Sequence, residues 1–492
     1  MKIPSAIDTN TLKAYEAHPK AVSGHNQALE SFNLEAWHQQ LPESLQQLCV
    51  ETIAKNWTDN PILDEIILSV DRYLLLDILD TNLPLKLTVP RIPDDVYWRK
   101  CYLEKWPKQL PDKVKPVEFT EIFRDTRKLS SACSDGNGRI SRRSSQASLG
   151  KIKTKTFISK DSDKKTWKQC YLEMYLKDYL ENLKPENYDA KKMKELSDLC
   201  SPYVKTLRMD QMQCSESSPN RIPLNSVLSA FQPLKELSIC FKQTYVGEQF
   251  SWNVVTTAFQ DIKTMAKGLE KLRLQVLKIR NSDINCDKLI TILKPLLKHK
   301  IEVLDFYHCK ISDKGTCAIA KFILEVPVKE LNLANNRIGS KGITYLSYAL
   351  LQPKCAVTKL DLHLNHLGDD AGNLLLNSIN RNNSLKYLCL SGCGFRNNFS
   401  VASLLRGNSL LEILDISNNN LGESIGETIL EGLKYNSSIR RLDLRMCRIP
   451  SETEFQIQEL VNDKKRKKII IETTQDDVEL DLDAAQLEMI LQ

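Results

Sequence analysis

Apolar residues in the second half of the chain recur in a fixed order, which can be written L-x-x-L-x-L-x-x-N/C-x-L. The copy over residues 328–338 shows every position of this order, with Asn336 at the N/C position. Successive copies start 26–29 residues apart, at Leu274, Ile301, Val328, Val357, Leu385, Leu411 and Ile439. A degenerate copy starts at Leu234. The alternation of apolar and polar positions predicts a short strand at the start of each copy.

Between the predicted strands, apolar residues return at helical spacing, for example in 342–351, 371–380 and 426–433. This order and period are those of leucine-rich repeats in which each strand is followed by a full helix. One such unit cannot bury its apolar face alone, so several must stack. We therefore predict an α/β fold: a leucine-rich-repeat solenoid with parallel strands on its concave face and helices on its convex face, preceded by a mainly helical N-terminal module.

Side chains alternate along a strand, so the residues between the buried leucines point to the concave face. These positions predict a partner-binding stripe, which consists of Asp305, Tyr307, Glu330, Asn332, Asp361, His363, Tyr387, Asp415, Arg441, Asp443 and Arg445. The stripe is acidic in its middle and mixed with basic residues at its C-terminal end, which favours a groove for a basic helix or tail. The alternative is that Leu-Asp-Leu is only a common strand sequence and marks no partner.

The rest of the chain divides by composition and periodicity. The predicted segments are a flexible N-terminal arm (1–40), a helical N-terminal module (41–124), a basic Ser/Lys/Arg-rich disordered linker (125–166), a helical adaptor (167–233), the solenoid (234–462) and a tail that is first basic and then acidic (463–492). The linker is predicted to be disordered because it has too few apolar residues to offset the entropy of ordering. An aromatic cluster at Tyr97, Trp98, Tyr102 and Trp106 predicts the core of a small domain rather than a ligand cage.

Three short segments suggest regulation, contact with a partner, or capping. Ser144 and Ser145 follow Arg142-Arg143, which is typical of substrates of basophilic kinases. The run Lys464–Lys468 fits a nuclear-import signal, contact with an acidic surface such as tubulin, or simple solvated charge. The amphipathic end of the tail is a candidate cap for the solenoid, because terminal repeats need one.

Composition narrows the classes of function. The 492 residues carry a net charge of only +6, which gives no whole-protein field towards nucleic acid or an anionic membrane. No signal peptide and no apolar run long enough to span a membrane are present in the sequence. The fourteen cysteines are scattered without paired spacing, which favours a reduced intracellular protein. We expect neither nucleic acid nor membrane as a partner.

Motifs for catalysis are missing from the sequence. It contains no G-x-x-x-x-G-K-[ST] loop, no G-x-S-x-G and no H-E-x-x-H, so we predict no enzyme activity and no catalytic residues. His363 and His366 are the only close histidine pair, and no cysteine or carboxylate cluster is expected to complete a metal site around them. Cys389 and Cys393 are assigned to the repeat register. We therefore predict no metal and no cofactor.

The repeats resemble those of the ribonuclease-inhibitor class. Over residues 42–462 the chain also resembles the dynein regulatory complex subunit 5 family, also called T-complex-associated testis-expressed protein 1. The segments that carry this resemblance are Asn60-Pro61-Ile62-Leu63, Leu83-Pro84-Leu85, Tyr97-Trp98 to Trp106-Pro107, Trp167-Lys168, Tyr203-Val204 to Asp210-Gln211, Phe250-Ser251-Trp252-Asn253, and Leu442-Asp443-Leu444-Arg445 before Ser451-Glu452-Thr453-Glu454-Phe455. The basic linker and the lysine-rich tail depart from the family pattern.

The resemblance implies a scaffold subunit of the nexin–dynein regulatory complex in the axoneme of motile cilia and flagella. It implies other subunits of that complex as partners, with inner-arm dynein and doublet microtubules as further candidates, and it transfers no catalytic residue. The repeats alone leave two other readings open. One is a regulator like the Ran GTPase-activating protein, and the other is a cytosolic protein-binding module such as an inhibitor. The tryptophan-rich N-terminal module favours the axonemal reading, because the other two do not need it.

Overall fold

A computed structural model of the protein describes residues 44–66, 68–111, 114, 164–244, 251–396 and 400–463. The chain divides into two compact units, Met1–Leu83 with Glu118–Gln146 and Pro84–Val117 with Ala147–Gln492. The predicted arm, Ser144 and Ser145, and the tail from Lys464 onward lie outside the described residues, as does almost all of the predicted linker.

The described part of the first unit is a pair of amphipathic helices, α1 (Leu45–Lys55) and α2 (Ser69–Ile78). The Ser44 side chain accepts a hydrogen bond from the amide of Gln47 and so caps the start of α1. Trp57, which follows α1, is completely buried, and so are Leu75 and Leu76 of α2. Much of the predicted apolar face of α1 is exposed, with Leu45 77% and Leu48 46% exposed, so the apolar spacing identified the helices but not their buried residues.

The second unit begins with four helices that precede the sheet. They are α3 (Leu85–Arg91), α4 (Asp95–Lys105), α5 (Trp167–Asn182) and α6 (Ala190–Cys200), with a short 3-10 turn at Pro185–Asn187. The aromatic rings of α4 meet those of α5, and Trp98 and Trp106 both lie within 5.5 Å of the Tyr171 ring. The prediction that this cluster forms a core is confirmed, because Tyr97, Trp98, Tyr102 and Trp106 are all buried.

A buried lysine joins these helices. The Lys168 ammonium donates hydrogen bonds to the carbonyls of Val89 and Ile92, at 2.6 and 3.0 Å, and it lies 4.4 Å from the Tyr203 ring centre. An ammonium group removed from water needs such partners to offset its desolvation. Lys168 thereby connects α3, α5 and the segment that leads into the sheet.

The remainder of the second unit alternates strands and helices. The strands are β1 (Thr206–Met209), β2 (Glu236–Ile239), β3 (Val276–Ile279), β4 (Val303–Asp305), β5 (Glu330–Asn332), β6 (Lys359–Asp361), β7 (Tyr387–Cys389), β8 (Ile413–Asp415) and β9 (Arg441–Asp443). The helices are α7 (Leu224–Ala230), α8 (Phe259–Leu269), α9 (Cys286–Leu296), α10 (Asp313–Glu325), α11 (Ser340–Leu350), α12 (Gly368–Asn380), α13 (Ser400–Gly407) and α14 (Glu423–Lys434), and residues 451–463 are also helical. The nine strands form one parallel sheet in sequence order. The chain therefore has the predicted α/β fold, a leucine-rich-repeat solenoid preceded by a mainly helical region.

The sheet begins one strand earlier than the repeats visible in the sequence. β1 lies inside the segment predicted as a helical adaptor and pairs in parallel with β2, so that Leu207 is opposite Leu237. Val204, Leu207 and Met209 occupy the apolar positions of the repeat and are fully buried. Met212 stands where later repeats have Asn or Cys, which hides this copy in the sequence. The other domain boundaries stay predictions.

The N/C position of the repeat forms a continuous ladder of hydrogen bonds inside the turns. In Asn365, the side-chain amide donates to the carbonyls of Leu333 and Leu362 at 3.0 and 2.9 Å. In Cys393, the thiol donates to the carbonyl of Leu362 at 3.4 Å. Buried backbone carbonyls need a donor, and each ladder residue supplies one to the preceding repeat.

A buried arginine binds the backbone on both sides of the segment that interrupts the repeats between β2 and β3. The Arg221 side chain is buried, and its guanidinium donates to the carbonyls of Phe241 and Val254 at distances of 2.9–3.1 Å. These carbonyls flank residues 245–250, which are outside the described residues. The planar guanidinium carries five N–H donors in a fixed fork, so it can serve several carbonyls at once.

Side chains from flanking helices bind both edges of the sheet. At the N-terminal edge, Glu173 of α5 accepts hydrogen bonds from the amides of Lys205 and Thr206 at 3.1 and 2.9 Å. At the opposite edge, the Gln458 side chain donates to the Leu442 carbonyl at 2.9 Å. Exposed sheet edges present unpaired backbone groups that invite aggregation, and these contacts cover part of both edges.

None of the helices in the described ranges is long and apolar enough to cross a membrane. Every described cysteine is a free thiol.

Candidate functional site

The face of the sheet opposite the repeat helices is called here the open sheet face. It presents the residues on either side of the buried central leucine of each strand. The strand register places the residues that follow this leucine in one row, which runs Arg208, Ser238, Lys278, Asp305, Asn332, Asp361, Cys389, Asp415 and Asp443. The row is therefore basic at its start and acidic further along, and it contains four of the sequence-predicted aspartates.

Each carboxylate or amide in this row has a structural task. Asp305, Asn332, Asp361, Asp415 and Asp443 all accept a hydrogen bond from the amide two residues later, at 2.9–3.2 Å. This is the local bond by which Asx side chains initiate turns. The recurrence of Leu-Asp-Leu is thus explained in part by the turn that follows each strand, as in the alternative interpretation of the stripe.

Positive side chains compensate most of the acidic charge. Arg280 binds Asp305, with its Nε 2.9 Å from Oδ2, and Asp305 is itself buried. Lys359 lies 3.4 Å from Glu330, and Arg445 donates to Asp443 at 2.7 Å. The hydrogen bond from Arg445 lowers the pKa of Asp443. The stripe is therefore less acidic than its aspartates alone suggest.

Arg280 and Lys359 were not among the sequence-predicted site residues. The sequence contained an indication of both residues, because each lies next to a buried apolar residue of a strand. Their contribution became visible only through the register, because the partner carboxylate belongs to the next or the preceding strand.

The polar centre of the open sheet face lies at β6–β8. His363 Nδ1 is 2.7 Å from Asp361 Oδ1, and this hydrogen bond raises the pKa of His363 despite partial burial. Ser417 donates to Asp415 Oδ1 at 2.7 Å, and the Cys389 thiol lies 3.6 Å from Asp415 Oδ2. Burial raises the pKa of the Cys389 thiol, and nearby Asp361 adds to this effect.

This centre contains a grouping of side chains that the sequence did not indicate, while the expectation of no metal stays a prediction. His363 was expected to lack a cysteine or carboxylate cluster, but the structure brings ligand atoms of Asp361, His363 and Cys389 within 4.8 Å of one another. Spacing along the chain did not show this, because Cys389 belongs to the strand next to Asp361 and lies 28 residues away. His366 is exposed and does not belong to this group.

Aromatic and basic groups border the polar centre. The Tyr307 ring lies 5.9 Å from the His363 ring, and Lys359 lies 5.2 Å from the ring centre of Tyr387. Burial raises the pKa of Tyr387 to about 12, so that it stays a neutral hydroxyl at physiological pH. Arg441 is exposed at the far end of the face. Half-buried aromatic residues beside charged groups are typical of protein-binding surfaces.

Comparison with protein families supports the repeat assignment. Two family models, both described as leucine-rich repeat, match residues 327–347 and 410–433. Two solved structures align with the chain over about half its length. A leiomodin-1 actin-binding site 2 structure is 17% identical, with a TM-score of 0.24, and covers 45% of this chain and 98% of its own. A TLR13–ssRNA13 complex is 14% identical, with a TM-score of 0.28, and covers 50% and 36%. Neither superposition is close enough to support a functional comparison.

Curated relatives share one name, dynein regulatory complex subunit 5. The relative from Mus musculus is 25% identical over 286 residues, covering 54% of this chain and 47% of its own. The relative from Homo sapiens is 23% identical over 310 residues, covering 58% and 52%, and that from Chlamydomonas reinhardtii is 24% identical over 248 residues, covering 50% and 49%. The chain spans about half the length of the curated relatives it matches. The chain is therefore a leucine-rich-repeat protein related to the dynein regulatory complex subunit 5 family.

Proposed function

We propose that the chain is a non-catalytic scaffold subunit of the nexin–dynein regulatory complex in the axoneme of motile cilia and flagella. The observation that carries this proposal is the shared name of relatives from two mammals and an alga, at 23–25% identity. A role in holding neighbouring subunits agrees with the physics of a repeat array, which offers a long rigid surface on regular elements. Other subunits of the complex are the proposed partners, and inner-arm dynein and doublet microtubules are further candidates.

Within this proposal, the open sheet face is the docking surface. Tyr387 and Arg441 are the residues expected to contribute most, because neither makes the turn hydrogen bonds that occupy the aspartates. Tyrosine and arginine dominate the energetics of protein interfaces when they become desolvated. Asp361 and Asp415 add negative charge that favours a basic segment of the partner.

The first experiment distinguishes the axonemal role from the alternative role as a regulator of a small GTPase. Tagged full-length chain is recovered from ciliated cells and from the same cells without cilia. We expect subunits of the dynein regulatory complex in the ciliated sample. Recovery of Ran from both samples, without any axonemal protein, would favour the regulator like the Ran GTPase-activating protein.

The second experiment locates the docking surface. In the ciliated sample, Tyr387→Ala combined with Arg441→Glu is expected to reduce recovery of partner subunits at least about tenfold, since each interface hot spot contributes roughly 2 kcal/mol or more. Tyr348→Ala is the matched control, because Tyr348 lies on α11 and is 63% exposed. If the control loses partners and the double variant keeps them, the helices rather than the open sheet face carry the contact.

A further inference from the structure

The open sheet face brings together metal-ligand atoms from three strands, and the turns use only one oxygen of each carboxylate among them. The register puts Asp361 opposite Cys389 and Cys389 opposite Asp415, on the consecutive strands β6, β7 and β8. His363 follows two residues after Asp361, so its side chain emerges on the same face. We propose that Asp361, His363 and Cys389, completed by Asp415, bind a zinc ion.

The distances fit such a site after small side-chain rotations. Ligand atoms of Asp361, His363 and Cys389 all lie within 4.8 Å of one another, and the fourth group, Asp415 Oδ2, is 3.6 Å from the Cys389 sulfur. Around tetrahedral zinc, with bonds of about 2.0–2.3 Å, neighbouring ligand atoms are about 3.3–3.8 Å apart. Asp361, His363 and Cys389 therefore need to approach one another by up to about 1.5 Å, and Asp415, which is close to the Cys389 sulfur but outside this group of three, has to turn towards the other two ligands.

Backbone contacts already orient both carboxylates. The amide of His363 and the amide of Ser417 bind Oδ1 of Asp361 and Asp415, at 3.1 and 3.0 Å. In both carboxylates Oδ2 is left for a ligand, apart from its contact with the Cys389 thiol in Asp415. Hydrogen bonds that fix a ligand's direction strengthen metal binding, because less freedom is lost when the ion arrives.

The ligand chemistry selects zinc among divalent cations. A thiolate and an imidazole are poor ligands for Mg²⁺ or Ca²⁺, whereas Zn²⁺ accepts sulfur, nitrogen and oxygen together. Binding converts the Cys389 thiol to a thiolate and releases its proton to solvent, and a protonated His363 releases its proton as well. Two carboxylates, one thiolate and a neutral imidazole then surround the dication, so the site keeps a net charge of about −1 and remains weakly acidic.

From β4 to β9, Cys389 is the one residue of the row that is neither Asp nor Asn. The repeats on either side carry Asp at this position, and those further along carry Asp or Asn. The side-chain oxygen of Asp or Asn accepts the hydrogen bond that forms the turn. The sulfur therefore stands between two carboxylates and beside a histidine. In the intact protein a bound ion would connect β6, β7 and β8 across the open sheet face.

The test uses the purified full-length chain, reduced and freed of metal with a chelator. Co²⁺ is titrated as the spectroscopic probe, followed by displacement with Zn²⁺. We expect one equivalent of Co²⁺ to produce thiolate-to-cobalt charge-transfer absorption and tetrahedral d–d bands, both of which one equivalent of Zn²⁺ abolishes. Cys389→Ser should abolish the charge-transfer absorption, and His363→Asn and Asp415→Asn should each weaken Zn²⁺ binding at least about tenfold.

Two variants control for other ligands. Cys317→Ser removes a thiol on α10, and Asp443→Asn removes the next carboxylate of the row, which Arg445 already binds. Both should bind Co²⁺ like the unaltered chain. Far-ultraviolet circular dichroism checks that each variant is folded, and the His363 and Asp415 variants decide the matter if Cys389→Ser does not fold. Absence of a cobalt signal in the unaltered chain, or the same signal in all three ligand variants, would overturn the proposal.

Discussion

Single side chains at the N/C position of the repeat, called here the ladder position, stabilise the turns of this solenoid. The residue type at this position determines which hydrogen bonds the side chain can make. Six consecutive repeats have Asn or Cys at the ladder position, namely Cys309, Asn336, Asn365, Cys393, Asn419 and Cys447. Asparagine both donates to buried carbonyls and accepts from an amide, whereas the cysteine thiol mainly donates. The sequence predicted these positions because their identity depends on local turn geometry that each repeat shares.

Replacing Asn365 measures the strength of one step of the ladder. Asn365→Ala leaves the amide of Ile338 without its side-chain acceptor. The carbonyls of Leu333 and Leu362 lose one donor each but keep the Asn336 side chain and the Cys393 thiol. We expect a loss of about 1–3 kcal/mol in the free energy of unfolding, which is the cost of one unsatisfied buried group. Urea unfolding followed by circular dichroism gives the value.

The matched control is Asn365→Cys, which places the residue of the neighbouring repeat at this position. The thiol can donate to one carbonyl as Cys393 does, so the loss should lie between zero and that of the alanine variant. Equal losses for cysteine and alanine would show that the thiols of the ladder contribute no useful hydrogen bond.

His299 makes stability depend on pH. Its Nδ1 accepts the amide of Leu274 at 3.1 Å, and its buried Nε2 has no hydrogen-bond partner among the described residues. Burial, and next the charge of Arg273, lowers the pKa of His299 from its ordinary value of 6.5. The unfolded chain therefore binds a proton at a higher pH than the folded chain does, and stability falls as the pH drops below about 6.5.

His299→Asn keeps an acceptor near the position of Nδ1 and removes the titration. We expect the difference in unfolding free energy between the two proteins to be constant above pH 7 and to shift in favour of the variant below about pH 6.5. Thermal or urea unfolding at pH 7.5, 6.5 and 5.5 tests this. A pH-independent difference would mean that His299 titrates alike in the folded and unfolded chain.

At the scale of elements, helix α5 is what allows the sheet to begin. Glu173 and Glu181 are two turns apart on this helix, and they accept the amides at the two ends of β1, with Glu181 Oε1 2.5 Å from the Asp210 amide. Their separation along the helix, about 12 Å, is close to the length of a four-residue strand. The N-terminal helices are thus the terminal cap that a stacked array needs.

Glu173→Ala should loosen this edge and spare the rest of the sheet. The amides of Lys205 and Thr206 lose their acceptor, and Lys165 loses the carboxylate at 2.6 Å. We expect hydrogen exchange in β1 and β2 to become at least about tenfold faster, corresponding to a loss of roughly 1.4 kcal/mol or more in local stability, while β6–β9 keep their protection.

Glu195→Ala is the control for this variant. Its partner is Lys86, and both side chains are more than half exposed, so little stability should be lost. If Glu173→Ala and Glu195→Ala leave exchange in β1 equally slow, the helix contributes nothing to the sheet edge.

The sequence predicted the later elements well and the first ones poorly. From β4 onward every copy keeps the apolar positions and the ladder residue, and the β3 copy departs from this only in having Ser282 at the ladder position, so strand and helix could be assigned locally. β1 was not predicted, because Met209 and Met212 replace the expected leucine and asparagine. Its edge contacts also come from Glu173, some 30 residues earlier in the chain. The grouping of Asp361, His363 and Cys389 escaped for a related reason, since contact between strands depends on the register.

At the scale of the whole molecule, a capped solenoid with an aromatic helical cluster at its start gives a rigid body suited to joining other proteins. The central claim is that this body is built into the dynein regulatory complex. The most direct test is crosslinking mass spectrometry on intact axonemes that contain the chain. We predict crosslinks from lysines bordering the open sheet face, such as Lys278, Lys359 and Lys386, to other subunits of the complex. Absence of the chain from purified axonemes, or crosslinks only to proteins outside the complex, would contradict the account.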